Sequence, residues 1–326
     1  MATDVRPVRL LAAGGTISMR GEHAVPALDA SELVAAIPQL AEHPGLTTQD
    51  VLSLPSAQLS LEQALDLASL AVGAAARGDG VVISTGTDTL EELAMLCALI
   101  QSGDNAPIVI TGANRPAAAP GADGPANLLD AVSVAASPEA RGLGTVVVFG
   151  GEIHAAAMVR KVDSTGPSAF GSPLTGPLGR VVGGRVWLAS RPMQPPTVVP
   201  RSLAHTVPIV TAALADDGRL LRAALQAGAD GLVVTGFGAG HLTPGMLEAL
   251  LEAVARVPVV LTVRPERGAI LHATYGFTGS ERDLRASGAA CAPFLSAVAA
   301  RIALLCCLGA DLDRDRISAV MSAWDA

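Results

Sequence analysis

Short apolar runs that stop at Gly, Thr, Ser or Pro punctuate the chain: Val8–Ala13, Val51–Leu54, Gly80–Ser84, Pro107–Thr111 and Thr145–Gly150. A strand with no polar face must be covered on both sides, and a mostly parallel sheet wrapped by helices does this. The stretches between the runs supply the helices. Ser31–Leu40, Leu59–Arg77, a segment ending at Ile100 and Asn127–Ala136 carry helical periodicity or caps, with Asp29 or Ser31 capping the first and Ser60 the second. Strand, loop and helix in alternation predict an α/β fold built on a doubly wound, mostly parallel sheet. From Met193 the pattern breaks, because Pro195, Pro196 and Pro200 follow with no apolar period, and a linker is expected over residues 193–206. Alternation then restarts with strand Val207–Ala212, and GADGLVVTG at 228–236 echoes RGDGVVISTG at 77–86. The expectation is a larger N-terminal domain of residues 1–192 and a smaller C-terminal parallel α/β domain of residues 207–326.

Composition removes several functions. A net charge of −8 with no basic run argues against a nucleic acid or an anionic membrane as partner. With aromatic residues at 2%, stacking on bases is excluded as well. Gly236, Gly238 and Gly240 fall at GxGxG spacing, not the dinucleotide fingerprint, and no acidic partner follows about 20 residues on. Cys97, Cys291, Cys306 and Cys307 lie in apolar contexts without a CxxC pair, and no His/Cys/Asp cluster has metal-ligand spacing. Free thiols, a reducing compartment and neither metal nor cofactor are expected. The apolar start ends at Gly14, too soon for a secretory segment, and Ala289–Ala310, interrupted by Ser296 and Arg301, reads as a buried helix and not a membrane span. The expected location is the cytoplasm.

Of 22 lysine and arginine residues, Lys161 alone is lysine. Arginine serves wherever a fixed charge is wanted but cannot be deprotonated, whereas a desolvated lysine can act as an amine base. An ordinary surface charge is the competing reading. A proton acceptor needs a hydroxyl to deprotonate, and two places offer one. Gly14-Gly15-Thr16 follows the first strand at its carboxyl end, where open sheets of this class bind ligands, although a plain tight turn would look the same. The third strand runs into Thr85-Gly86-Thr87-Asp88-Thr89-Leu90-Glu91-Glu92. There Asp88 with Glu91, or Thr89 with Glu92, would form a helix capping box. The same hydroxyls, carboxylate and helix amides would also suit an oxyanion or a substrate carboxylate or amine.

Taken together and in order, AAGGTIS around Thr16, TGTDTLEE around Thr87, PGADGPANLLDAV at 120–132 and RKVDSTGPSAFGSPLTGPLG at 160–179 resemble the bacterial-type L-asparaginase family. GFGAGHLTPG at 236–245 and ATYGFTGSERDL at 273–284 extend the resemblance more loosely. It implies a large N-terminal and a small C-terminal α/β domain. It also implies homodimers or homotetramers whose active sites are shared between neighbouring subunits. Thr16 would be the nucleophile that attacks a side-chain amide, forming an acyl ester and releasing ammonia. Thr87, Asp88 and Lys161 would complete the catalytic set, with Lys161 accepting a proton directly or through Thr87 and a water. Burial would lower the proton affinity of that amine and Asp88 would raise it, a balance the sequence leaves open. Ser56, Thr87, Asp88 and Glu281 would hold the substrate. Backbone donors near Thr87 could hold the oxyanion, each contributing about 3 kcal/mol.

This chain departs from the family pattern at four positions. Ala57 follows Ser56 where an amide side chain is expected, and His23 stands nearest the place of a loop tyrosine. Thr85 replaces a histidine before Gly-Thr-Asp, and His241 an asparagine. The reading that follows is hydrolysis of L-asparagine to L-aspartate and ammonia. The alternatives are the same chemistry on a D-amino-acid or β-linked amide, or a catalytically silent amino-acid-binding protein.

Overall fold

The computed structural model describes residues 6–20, 25–26, 28–102 and 105–324. The chain divides into two compact units, Met1–Thr197 and Val198–Ala326. In the first, β1 (Val8–Gly14), β2 (Met19–Arg20) and β3 (Val25–Pro26) precede α1 (Ala30–Ala35) and α2 (Pro38–Ala41). Then come β4 (Leu46–Leu54), α3 (Leu61–Ala76), β5 (Gly80–Ser84), α4 (Leu90–Ile100), β6 (Ile108–Thr111), α5 (Gly124–Ala136) and β7 (Thr145–Phe149). Short strands β8 (Glu152–Ala155), β9 (Arg160–Lys161), β10 (Phe170–Gly171), β11 (Gly179–Val182) and β12 (Arg185–Leu188) follow. Eight of these strands form one sheet in the order β12-β11-β8-β7-β6-β5-β1-β4.

From β7 to β4 the pairing is parallel, and every residue of β5, β6 and β7 is buried, as continuous apolar strands require. One face packs Leu10, Val82, Val109, Val146 and Val148 against Leu128, Ala131 and Val132 of α5 and against Leu33 and Leu40. Crossover helices place the loops carrying Thr16, Ser56 and Thr87 at the carboxyl ends of β1, β4 and β5.

Two expectations need correcting, and the passage from β7 to Lys161 is built of short strands. The second strand starts at Leu46, well before Val51, and its Thr47–Asp50 stretch is exposed because β4 is the edge of the sheet. No plain loop joins β7 to Lys161: β8 turns back antiparallel on β7, and β11 and β12 continue that antiparallel edge. Tract 289–310 is a short strand, Ala290–Cys291, before a helix that begins only at Ala297.

The second unit holds β13 (Ile209–Thr211), α6 (Arg219–Gln226), β14 (Leu232–Gly236), α7 (Pro244–Val254), β15 (Val259–Val263), α8 (Glu281–Ala286), β16 (Ala290–Cys291), α9 (Ala297–Gly309) and α10 (Arg314–Ser322). Its strands form a parallel sheet in chain order. Val234 and Leu261 pack there on Leu221, Leu225, Met246 and Leu250. Residues 189–208 carry neither helix nor strand. None of the four cysteines forms a disulfide, and burial pushes the Cys97 and Cys307 thiols up to about 12. No described helix is long and apolar enough to cross a membrane.

His154 on β8 gives the first unit a measurable pH response. Its ring is fully buried, with Nδ1 3.0 Å from Ser172 Oγ and Nε2 3.6 Å from a Glu152 carboxylate that pairs instead with Arg180. Burial pushes the imidazole down from 6.5 to about 4. Between those values the unfolded chain binds a proton that the native one refuses, so stability is intact above the upper value and declines as pH falls to the lower. The loss is about 3 kcal/mol. Unfolding free energies from urea denaturation at about pH 7.5 and about pH 4.5 should therefore differ less in His154→Gln by that amount; an unchanged difference refutes the assignment.

Candidate active site

Glycines make the site by letting backbone touch backbone. Gly14 and Gly15 both adopt positive φ, +82 and +81. A Cβ on Gly15 would lie closer than 3.0 Å to the main chain of Gly86 and Thr85, and one on Gly86 would meet Ser56 Oγ at 2.5 Å. Thr16, Thr87 and Ser56 each adjoin or touch this stack. Thr16 opens a 3-10 turn, Thr16–Ser18, and stays partly exposed. The turn is fixed by Ser18, whose amide and hydroxyl both donate to Gly15 O.

Ser56 is buried in the 3-10 turn Ser56–Gln58 after β4. Its hydroxyl accepts from the Asp88 amide at 3.1 Å, and its carbonyl accepts from the Thr89 hydroxyl at 3.1 Å. Neither capping box forms at α4: its N-cap, Thr89, makes no side-chain cap. The hydroxyl that would have capped the helix donates to Ser56 O instead and ties the start of α4 to the turn after β4.

Lys161 arrives from β9. That strand pairs antiparallel with β10, Lys161 opposite Phe170, and Phe170 packs on Phe149 of β7 with ring centroids 5.0 Å apart. The turn beyond is closed by Asp163 Oδ1, which accepts from the amides of Thr165 and Gly166 at 2.8 Å. Those two bonds hold the Asp163 carboxyl below its usual range. Asn114 ties the turn to the loop after β6, donating to Gly166 O at 2.8 Å, and Asp123 braces that loop by accepting from the Asn114 and Arg115 amides. So seated, Lys161 Nζ donates to Thr87 Oγ1 at 2.8 Å and to Asp88 Oδ1 at 3.0 Å. Lys161 is 20% exposed and Asp88 61%. An ammonium donates across the Thr87 contact; a neutral amine would accept the Thr87 proton across the same distance.

The structure thus gathers Ser56, Thr87, Asp88 and Lys161 in direct contact, with Thr16 on the turn packed against Gly86. Glu281 belongs to the second unit and is fully buried there. Its Oε1 accepts from the Thr274 and Tyr275 amides, and its Oε2 lies 3.2 Å from His241 Nε2. Burial pushes this carboxyl up, but the Tyr275 and Thr274 amides and His241 outweigh it and hold it below the usual range. His241 lies edge-on to Tyr275 and Phe277, at 4.9 Å from each. His23 falls outside the described residues. Ala57 is exposed. Among the described residues, no group of three or more His, Cys, Asp or Glu is arranged to hold a metal ion. Sequence reasoning gave Glu91 only a capping role; in the fold its Oε1 accepts from the Lys161 main-chain N–H at 3.5 Å.

The description "Asparaginase, N-terminal" matches residues 7–194, and "Glutaminase/Asparaginase C-terminal domain" matches residues 206–321. The chain belongs to the asparaginase family. Within that family it is 37% identical to a Probable L-asparaginase of Deinococcus radiodurans, over 99% of both chains. It is 32% identical to an L-asparaginase of Bacillus licheniformis, over 87% of this chain and 89% of that one. The crystal structure of a Probable Cytoplasmic L-asparaginase from Campylobacter jejuni superposes with a TM-score of 0.85 at 28% identity, covering 97% of this chain and 99% of the other. The asparaginase fold, a large mostly parallel sheet and a separate parallel-sheet domain, is the one described above.

Proposed function

We propose that this chain hydrolyses L-asparagine to L-aspartate and ammonia through an acyl ester on Thr16. One observation carries the mechanism: the chain's single lysine meets a buried threonine hydroxyl at 2.8 Å and a carboxylate at 3.0 Å, at the tip of a parallel sheet. The Thr16 oxygen attacks the side-chain amide carbon while its proton passes by way of Thr87 to Lys161. The carbon–nitrogen bond breaks, and the nitrogen leaves with a proton as ammonia. Water then cleaves the ester and restores the Thr16 hydroxyl. Asp88, more exposed than Lys161, is free to meet the substrate's ammonium group. Ser56 accepts the Asp88 amide bond and keeps its own proton to donate. No metal or cofactor enters these steps. The family likeness also supports a homodimer or homotetramer, a substrate-binding role for Glu281 and, with four cysteines outside any disulfide, a cytoplasmic location.

Ala57 favours a second reading on substrate only. It offers no side-chain amide to the α-amino or carboxylate group, and losing one such contact costs about 1 kcal/mol. A panel of L-asparagine, L-glutamine, D-asparagine and a β-linked amide, compared by kcat/KM for ammonia release, ranks the candidates. The expected order puts L-asparagine first, with release absent in Thr16→Ala. Tight asparagine binding without turnover would identify a silent binding protein, and turnover surviving Thr16→Ala would reject the nucleophile.

A further inference from the structure

Glu91 sits in the first turn of α4, where an acidic side chain normally needs no explanation beyond the helix dipole. Two features make it different. Its Oε2 is shut off from solvent and has no hydrogen-bond partner, while its Oε1 accepts the main-chain N–H of Lys161 at 3.5 Å. A dipole charge gains at most about 1 kcal/mol from an exposed first turn, and Glu92 next to it could supply that. Desolvating a carboxylate costs more, so its retention calls for charges placed to compensate it. Those charges are at hand.

We propose that Glu91 is a positioning residue for Lys161, fixing its main chain through the N–H and placing a buried carboxyl 3.5 Å from that nitrogen. Asp88 meets the Lys161 amine from the exposed side. Burial raises the Glu91 carboxyl above its usual range; Arg160, the Lys161 amide and the Lys161 ammonium oppose the rise, and Glu92 adds to it. These are the charged groups that face it, on α4 itself and on β9. Two acids therefore meet the residue that takes the threonine proton, Asp88 at its amine and Glu91 at its main chain. The proposal rests on the reading of Lys161 as the amine base.

The test is the pH profile of kcat/KM for ammonia release from L-asparagine in Glu91→Gln, Glu91→Ala and Lys161→Met. Glutamine keeps an oxygen for the Lys161 amide and removes the charge. With one anion fewer near the residue, the rising limb in E91Q moves to lower pH. Alanine removes the seat as well, and kcat falls about tenfold or more while KM stays within about threefold. An E91Q limb that superimposes on that of the unaltered protein overturns the assignment, as does an E91A variant with full kcat. Should E91A fail to fold, the E91Q profile decides alone. K161M separates the two readings: its inactivity beside an unmoved E91Q limb refutes only the role of Glu91, whereas an active K161M refutes both.

Discussion

Lys161→Arg folds, binds L-asparagine with a KM within about threefold of the unaltered protein, and loses about a hundredfold to ten-thousandfold in kcat. Arginine reaches at least as far as lysine and carries the same charge, so the contacts to Thr87 and Asp88, at 2.8 and 3.0 Å in the native chain, have donors to replace them. What arginine cannot do is release its proton near neutral pH and accept another from Thr87. The substitution therefore separates two jobs that lysine could hold. If Lys161 serves only as a fixed positive charge that orients Asp88 or stabilises the oxyanion, Lys161→Arg keeps most of its activity. If it is the base, Lys161→Arg is as inactive as Lys161→Met. Initial-rate assays of ammonia release, with circular dichroism to confirm folding, distinguish the cases, and a kcat above about a tenth of the native value in Lys161→Arg rejects the base.

What the sequence displayed and what it concealed follow one physical rule: signals local in the chain are readable, and those that depend on what the tertiary fold brings alongside are not. β5, β6 and β7 were readable because strands buried on both faces have to be apolar throughout. The start of β4 was hidden, since Thr47–Asp50 lie exposed on an edge and look like loop. The antiparallel strands β8, β11 and β12 are only four residues long each, too short for a period to declare itself. At the site, Lys161 and the Thr87-Asp88 pair stood out by residue type. Thr89 and Glu91 did not, because a threonine before a helix and a glutamate in its first turn have ordinary local roles. Only coordinates reveal that Thr89 bonds to Ser56 and that Glu91 accepts from the Lys161 main-chain N–H. Glu281 is the converse case: the family motif singles it out, and the fold gives its oxygens partners within the second unit.

Gly15→Ala is expected to abolish activity and to destabilise the protein by about 3–6 kcal/mol, much of what a domain has. Two costs combine. The residue sits at φ 81° and ψ −180°, a region almost closed to any side chain, which alone costs about 1–3 kcal/mol. Its new methyl would also press within 3.0 Å of main-chain atoms of Gly86 and Thr85, which cannot swing aside as a flexible side chain would. Those atoms continue β5, whose register with β1 is fixed from Val8–Gly80 through Ala12–Ser84. Relief has to come from driving the tips of β1 and β5 apart, which separates Thr16 from Thr87. Gly78→Ala supplies a comparison without the clash, since Gly78 also has a positive φ, +99, and nothing within 4 Å of a new Cβ. In urea denaturation G78A should lose only about 1 kcal/mol and keep full ammonia release. If G15A proves no less stable than G78A and remains active, the close approach of the two glycines is not what brings the threonines together, and the geometry of the site has to be sought elsewhere on the sheet edge.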